Sequence, residues 1–358
     1  MANTRVPVWL DCDPGHDDAF AILLAVYHED LQLIGVSTVY GNAPLSKTTS
    51  NALSVLKAIG KENIPVHPGS WRPFSRDTKH ARDIHGESGL DGTDLLPQPD
   101  RLPLKHCNAI KDMRDALLSC PPQTAWLVAT GTLTNIALMF AVFPEVAKHL
   151  KGLSIMGGAI GGDFTNVYMG PEYTDSAGQK HARIGNMSPF AEFNIWCDPD
   201  SARSIFTNPD LTSKTTLITL DLTHQVCATT EIRDMLLFSR VKQEPPARLR
   251  RMFYELLMFF AKTYEAVFGL KDGPPLHDPL AVAVVLASIN GDLRSLFNDA
   301  KHERWDVDVV TEGEQDGRTR VTSATEGVFI PRSVDVQKFW DLIEDCMAKA
   351  DHETGYAK

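Results

Sequence analysis

Short apolar runs alternate with longer amphipathic stretches through most of this chain. Residues 6–10, 31–39, 125–129, 153–156 and 215–220 read as strands, with helices over 17–28, 45–59 and 133–142 between them. Several of these strands are nearly continuous in apolar residues, which is the mark of strands buried on both faces of a parallel sheet. The pattern predicts an α/β fold, doubly wound, with a mostly parallel central sheet and helices on both faces. Ligands of such sheets bind beyond the carboxyl ends of the strands. Residues 336–349 read as a closing helix. No repeat, low-complexity tract or linker interrupts the chain, so a single domain over 1–358 is expected.

The ligand rule directs attention to the residues just past each strand. Asp11 to Asp18 comes after the first, Tyr40-Gly41-Asn42 after the second, Thr130-Gly131 after the run 125–129, Gly157-Gly158 after the run 153–156, and Asp221-Leu222-Thr223-His224 after the run 215–220. Five strand ends in a row thus carry small, carboxylate or amide residues. Two stretches lack periodicity. Residues 71–104 are rich in Pro, Arg, Asp and Gly, and include His85-Gly86-Glu87-Ser88-Gly89-Leu90-Asp91-Gly92. Residues 159–185 are polar and dotted with glycine, too long for an ordinary connection, and read as an inserted loop.

Composition narrows the partners. With 43% apolar and 23% charged residues over 358 positions, the chain is of ordinary globular make-up and long enough for a sizeable core. A net charge of −11, with no Lys/Arg-rich run to offset it, argues against nucleic acid as a partner. Cys12, Cys107, Cys120, Cys197, Cys227 and Cys346 form no C-x-x-C pair, so they read as small buried hydrophobes rather than zinc ligands or a disulfide framework. The first seven residues lack an apolar signal core and no apolar run is long enough to span a bilayer. A cytoplasmic protein with no membrane partner is expected.

The candidate chemistry centres on Asp11-Cys12-Asp13-Pro14-Gly15-His16-Asp17-Asp18, which packs four carboxylates into eight residues after a strand. Such crowding is unfavourable unless a positive charge sits among them, and a hard divalent cation with oxygen ligands is the natural neutraliser. Helix capping accounts for one or two of the aspartates and leaves Asp11 and Asp13 unexplained. An EF-hand fails because its twelve-residue register ends at Ile22, where a Glu is required. Three further clusters belong with this one. Asn186 to Asn194 offers two amides and Glu192, with alternation placing Glu192 and Asn194 on one side of an extended segment, a donor and acceptor set suited to sugar hydroxyls. Pro275-Leu276-His277-Asp278-Pro279 sets a histidine beside an acid at the start of an apolar helix, and Ala129-Thr130-Gly131 offers a backbone carbonyl before a glycine. Tyr264 and Phe268, at the end of an aromatic-rich helix near the His277 loop, are placed to stack on a flat ring.

Taken together, these residues resemble the inosine–uridine preferring nucleoside hydrolases, or ribonucleoside hydrolases. Residues 11–25 match the family's acidic signature nearly position for position. Tyr40-Gly41-Asn42, residues 85–92 and 130–135, Met156-Gly157-Gly158, Glu192-Phe193-Asn194 and His277-Asp278-Pro279 match its later blocks in order. The resemblance implies the family's Rossmann-like fold and a Ca²⁺ held by Asp13, Asp18, Asp278 and the main-chain oxygen of Thr130. It places Asp17, Asn42 and Asn194 at the ribose diol or the water, Asn186 and Glu192 at the 5′ hydroxyl, and Asp11 in support of the loop. His85 and His277 fall near the nucleobase.

The implied reaction is hydrolysis of a ribonucleoside to ribose and free base by direct water attack, in nucleoside salvage, with a uridine or inosine type of preference. Asp13 is the implied general base and His277 the implied acid for the leaving base, because breaking the N-glycosidic bond builds positive charge on the ribose and negative charge on the base. Oligomers are implied as well, either homodimer or homotetramer. Two other classes compete. A metal-dependent phosphoryl-transfer enzyme would need a phosphate cradle, and no Gly-rich loop ending in Lys-Ser/Thr is present. A non-catalytic nucleoside- or ribose-binding protein would be expected to lose Asp13 or the metal carboxylates, and both are kept. The chain departs from compact members of the family between Gly158 and Asn186, where the extra residues should lie beside the 5′-hydroxyl site.

Overall fold

The computed structural model describes residues 5–101, 103–104, 108–175 and 177–354. Among the described residues there are ten strands, β1 (Val6–Cys12), β2 (Leu31–Thr38), β3 (Val66–Pro68), β4 (Trp126–Ala129), β5 (Gly152–Met156), β6 (Tyr173–Thr174), β7 (Lys180–His181), β8 (Thr215–Ile218), β9 (Arg304–Val309) and β10 (Thr319–Ala324). Six of them form one sheet in the order β3-β2-β1-β4-β5-β8, every pair parallel. The other four make two small antiparallel pairs, β6 with β7 and β9 with β10. The chain winds one way from β1 to β3 and the other way from β4 to β8, so the order reverses between β1 and β4. That reversal opens a crevice at their carboxyl ends.

Both faces of the sheet are covered, which is why its strands are apolar throughout. On β1, Val8, Leu10 and Cys12 enter one core with the helices His16–Tyr27, Leu45–Ala58, Asp278–Ile289 and Val336–Thr354. Trp9 points to the opposite core, with Ala109–Ser119, Thr134–Val142 and Pro199–Phe206. The helix Asp278–Ile289 is apolar on all sides, and Leu280 to Leu286 are buried accordingly, against the sheet on one side and the helix His16–Tyr27 on the other. This placement sets two helix N-termini, each opening on aspartates, at the same end of the sheet.

Several expectations need correcting at their edges. The strand expected over 215–220 stops at Ile218, because Leu220–Thr223 turns into a short helix. The segment around Glu192 is not extended: Glu192 caps the helix Phe193–Cys197, so Asn194 is helical and alternation does not apply. The stretch 71–104 holds one helical turn, Arg82–His85, and 159–185 carries the β6–β7 pair. Cys12, Cys197 and Cys346 are buried as expected, whereas Cys120 and Cys227 are only partly so; Cys107 lies outside the described residues. The closing helix runs on to Thr354. No helix among the described residues is long and apolar enough to cross a membrane.

Candidate active site

β1 continues past Cys12 into Asp13, and β4 past Ala129 into Thr130, so both residues emerge where the strand order reverses. Asp11 faces the Trp9 side of the sheet. Its Oδ1 accepts hydrogen bonds from the Ser37 hydroxyl and from Asn135 Nδ2, the latter at 2.8 Å. Asn135 also donates to the Thr38 carbonyl and accepts from Ser70 N, so Asp11 and Asn135 tie together the loops beyond β1, β2 and β3. Burial pushes Asp11 up to about 7, against the pull of these two donors.

The helix His16–Tyr27 starts with Gly15 at its N-cap, where Gly15 N donates to Asp18 Oδ2 at 2.9 Å. Asp18 therefore does cap, as a purely structural reading requires, and its other oxygen accepts from the Thr130 hydroxyl at 2.8 Å. Asp13 is fully buried. Its Oδ2 accepts from Asn42 N at 2.7 Å, while its Oδ1 has no hydrogen-bond partner. The carboxylate sits so close to the chain that a Cβ on Gly41 would lie 2.0 Å from Oδ2, and one on Gly131 2.7 Å from Oδ1. Those two glycines are required by the approach of Asp13.

Asp17, Asp18 and Asp278 bring one carboxylate oxygen each within 4.8 Å of one another, at the converging helix N-termini. Burial, then mutual repulsion, holds Asp17 up at about 7 and Asp278 well above the usual carboxylate range; Asp13 is raised for the same two reasons. Charges so arranged need a cation or protons. The three-carboxylate group takes in Asp17 and not Asp13, which the sequence reading made a ligand; its all-oxygen donor set, and the buried, unpartnered Asp13 Oδ1, fit a hard divalent ion.

A pocket opens above these carboxylates, lined among others by Asp17, Asn42, His85, Thr130, Asn186, Glu192, Asn194, Tyr264, His277 and Asp278. Every site residue expected from the sequence except Asp13 and Asp18 thus faces one cavity, and those two lie directly beneath it, bonded to Asn42 and Thr130. Asn42 Nδ2 donates to the Asp13 carbonyl, and Asn194 Nδ2 to the Thr130 carbonyl at 2.9 Å. Glu192 is held by three backbone donors, Gly158 N, Asn194 N and Ile195 N, and Asn186 Oδ1 accepts from Phe193 N.

The far wall departs from expectation. Tyr264 does not merely offer a flat ring: its hydroxyl is 2.8 Å from His277 Nε2, and His277 Nδ1 is 2.7 Å from the Thr223 hydroxyl. Both ring nitrogens of His277 are therefore engaged. Burial holds His277 well below the ordinary histidine range and Tyr264 well above the ordinary phenol range, so the resting pair is neutral. Thr223 lies in the polar run after β8, and Phe260, four residues before Tyr264, in the aromatic helix. Position after a strand and helical spacing are the sequence signals for these two. His16 escapes sequence reasoning as well, because within the acidic motif it carries no periodic signal.

The profile of the inosine-uridine preferring nucleoside hydrolase family matches residues 8–341. Over 98% of its length the chain is 37% identical to the uridine nucleosidase of Saccharomyces cerevisiae, of which it covers 98%. It is 34% identical to the pyrimidine-specific ribonucleoside hydrolase of Klebsiella pneumoniae, over 96% of this chain and 98% of that one. Among solved structures, a plant nucleoside hydrolase superposes with a TM-score of 0.76 at 26% identity, covering 96% of this chain and 98% of its own. The purine-preferring ribonucleoside hydrolase of Gardnerella vaginalis superposes at 0.78 with 24% identity over 97% and 99% of the two chains, a likeness of fold. An acidic pocket at the reversal of a parallel sheet, and sequence likeness along nearly the whole chain, converge on one conclusion: this chain belongs to the inosine-uridine preferring nucleoside hydrolase family and is a ribonucleoside-hydrolysing enzyme.

Proposed function

We propose that the enzyme hydrolyses uridine-type ribonucleosides in nucleoside salvage, with Ca²⁺ as its metal and water as the direct nucleophile. The observation that carries this reading is the pairing, across one pocket, of a buried carboxylate cluster with the Tyr264–His277–Thr223 chain. The likeness to a uridine nucleosidase supports the choice of base. In this proposal Asp13, Asp18, Asp278 and the Thr130 carbonyl would hold the ion, and Asp17, whose carboxylate lies close to those of Asp18 and Asp278, would join them. When bound, the ion supplies a strong positive charge that acidifies water and fixes the ribose diol.

Asn42 and Asn194, each anchored to a backbone carbonyl, orient the ribose, and Asn186 and Glu192 lie at the 5′ hydroxyl. Water attacks C1′ and gives its proton to Asp13, whose buried Oδ1 has no other hydrogen-bond partner. The C1′–N bond breaks and its electron pair leaves with the base. The positive charge that grows on the ribose lies above the carboxylates, where it is stabilised. On the base side, Tyr264 donates its phenolic proton, and the phenolate is held by the Nε2 hydrogen of His277, while the Thr223 hydroxyl donates to Nδ1. Asp13 then releases its proton to solvent and Tyr264 regains one from it, which restores both groups. His277 thus acts on the base through Tyr264, and His85, on the other side of Phe260 from His277, also meets the base. We place the enzyme in the cytoplasm as a homodimer or homotetramer, as the family likeness suggests.

Ribose release from uridine, cytidine, inosine and adenosine, measured with and without a chelator, tests the reading. Release fastest with uridine and lost on chelation is expected. No ribose from any nucleoside would overturn it.

A further inference from the structure

His16 stands inside the acidic motif yet takes no part in the carboxylate cluster. Its ring is fully buried, lies parallel to those of Phe259 and Phe260 at centroid distances of 5.2 and 5.4 Å, and stacks on His85. Its two nitrogens have different partners. Nε2 is 2.7 Å from the Asp91 carbonyl, and Nδ1 is 3.1 Å from Nδ1 of His85. His85 in turn lines the nucleoside pocket, and among the described residues no protein group hydrogen-bonds its Nε2.

These contacts leave one arrangement of hydrogens. A carbonyl oxygen only accepts, so His16 Nε2 carries the hydrogen that goes to Asp91. A neutral imidazole carries one hydrogen, which leaves His16 Nδ1 as a lone pair. The contact between the two Nδ1 atoms then requires the hydrogen on His85 Nδ1. His85 Nε2 is left bare. Both rings are neutral because both are buried among aromatic rings with no carboxylate hydrogen-bonded to them. The packing holds the pair in place: a Cβ on Gly15 would lie 2.6 Å from His85 Nδ1, so only glycine before His16 lets His85 come this close.

We propose that His16 is a positioning residue that fixes the tautomer of His85, so that His85 presents an acceptor to the pocket and selects nucleobases that offer an N–H at that edge. The proposal rests on the nucleoside hydrolase reading of the pocket. It deepens that reading by giving two lining residues opposite roles, with Tyr264 donating to the base and His85 accepting from it. Bases with a ring N–H or an exocyclic amino group satisfy His85, whereas a base methylated at that nitrogen leaves a buried acceptor unpaired.

Neutron diffraction from deuterium-exchanged crystals of the unaltered protein reads the hydrogens directly. Deuterium is expected on His16 Nε2 and His85 Nδ1, with none on His85 Nε2; deuterium on His85 Nε2 would overturn the proposal. A kinetic arm compares kcat/KM for uridine and 3-methyluridine in the wild type and in His16→Phe, which keeps a flat ring against Phe259 and Phe260 but loses both hydrogen bonds. The preference for uridine is expected to shrink about tenfold in the variant, the worth of one hydrogen bond. Because the added methyl is common to both proteins, an unchanged preference in a folded His16→Phe enzyme would sink the proposal. If His16→Phe does not fold, the deuterium positions decide alone. Failure of the wild type to release ribose from any nucleoside would instead overturn the hydrolase reading, while leaving the tautomer to the neutron map.

Discussion

In the proposed mechanism Asp13, beneath the pocket, and Tyr264, lining it, have opposite duties, and single substitutions separate them. Asp13→Ala removes the proposed base and is expected to lower kcat for uridine about 10³-fold, within the range for positioned proton transfer. Tyr264→Phe and His277→Ala are expected to lower it about 10²-fold for uridine, yet to leave 4-nitrophenyl riboside within about threefold of wild type, since that leaving group needs no proton. Steady-state kinetics on both substrates checks this; equal losses on both from Tyr264→Phe would remove the phenol from the leaving-group role. The residues differ in how openly the sequence announces them. Asp13, Asp17 and Asp18 stand in one dense motif that charge crowding exposes, whereas Asp278, beside a histidine at a helix start, is singled out only by the family resemblance. Thr223 and His16 stay hidden because a hydroxyl or a ring matters here only through the neighbour it bonds, and those neighbours lie 54 and 69 residues away.

The helix Arg248–Phe268 carries Tyr264 to the pocket, and its other end is anchored by Arg250. That side chain is 1% exposed, pairs with Glu344 through both terminal nitrogens at 2.9 Å, reaches Asp351 through Nε at 3.1 Å, and donates to the Leu236 carbonyl. Removing one partner strands a buried charge, so Arg250→Ala is expected to cost about 3–5 kcal/mol in urea unfolding. The set Arg250→Met, Glu344→Leu and Asp351→Leu should recover most of that loss, because no buried charge is then left unpaired; a triple variant no better than the single would place the stability elsewhere. Elements buried on all sides are the ones legible in the sequence: the strands of the parallel sheet and the helix Asp278–Ile289 announce themselves by unbroken apolar runs. β3 spans only three residues, Val66–Pro68, too few for any period to register. β9 and β10 hide because Arg304, Asp306 and Asp308 on one, and Arg320 and Thr322 on the other, face outward and dilute the apolar signal. Glu192 misleads for a related reason. Its alternation with Asn194 mimics a strand, but the three backbone donors around its carboxylate favour a cap.

For the molecule as a whole, the carboxylate cluster couples folding to metal and to pH. Burial raises Asp11 and Asp17 to about 7 and lifts Asp13, Asp18 and Asp278 as well, in the protein without its ion. A carboxylate whose folded pKa exceeds its unfolded value binds more protons in the folded state between those two values. Stability of the metal-free protein therefore falls as pH rises from about 4 through about 7. In the proposed calcium form the ion would replace those protons as the neutralising charge, binding the ionised carboxylates that rising pH supplies. The stabilisation it gives must then grow across the same window in which the metal-free protein weakens. Thermal unfolding of calcium-loaded and chelated protein at pH 5 and pH 7.5 measures this: the melting temperature should differ little between the two forms at pH 5 and by several degrees at pH 7.5. An equal shift at both pH values would mean that the aspartates are already ionised without the ion, and that charges elsewhere in the fold hold them so.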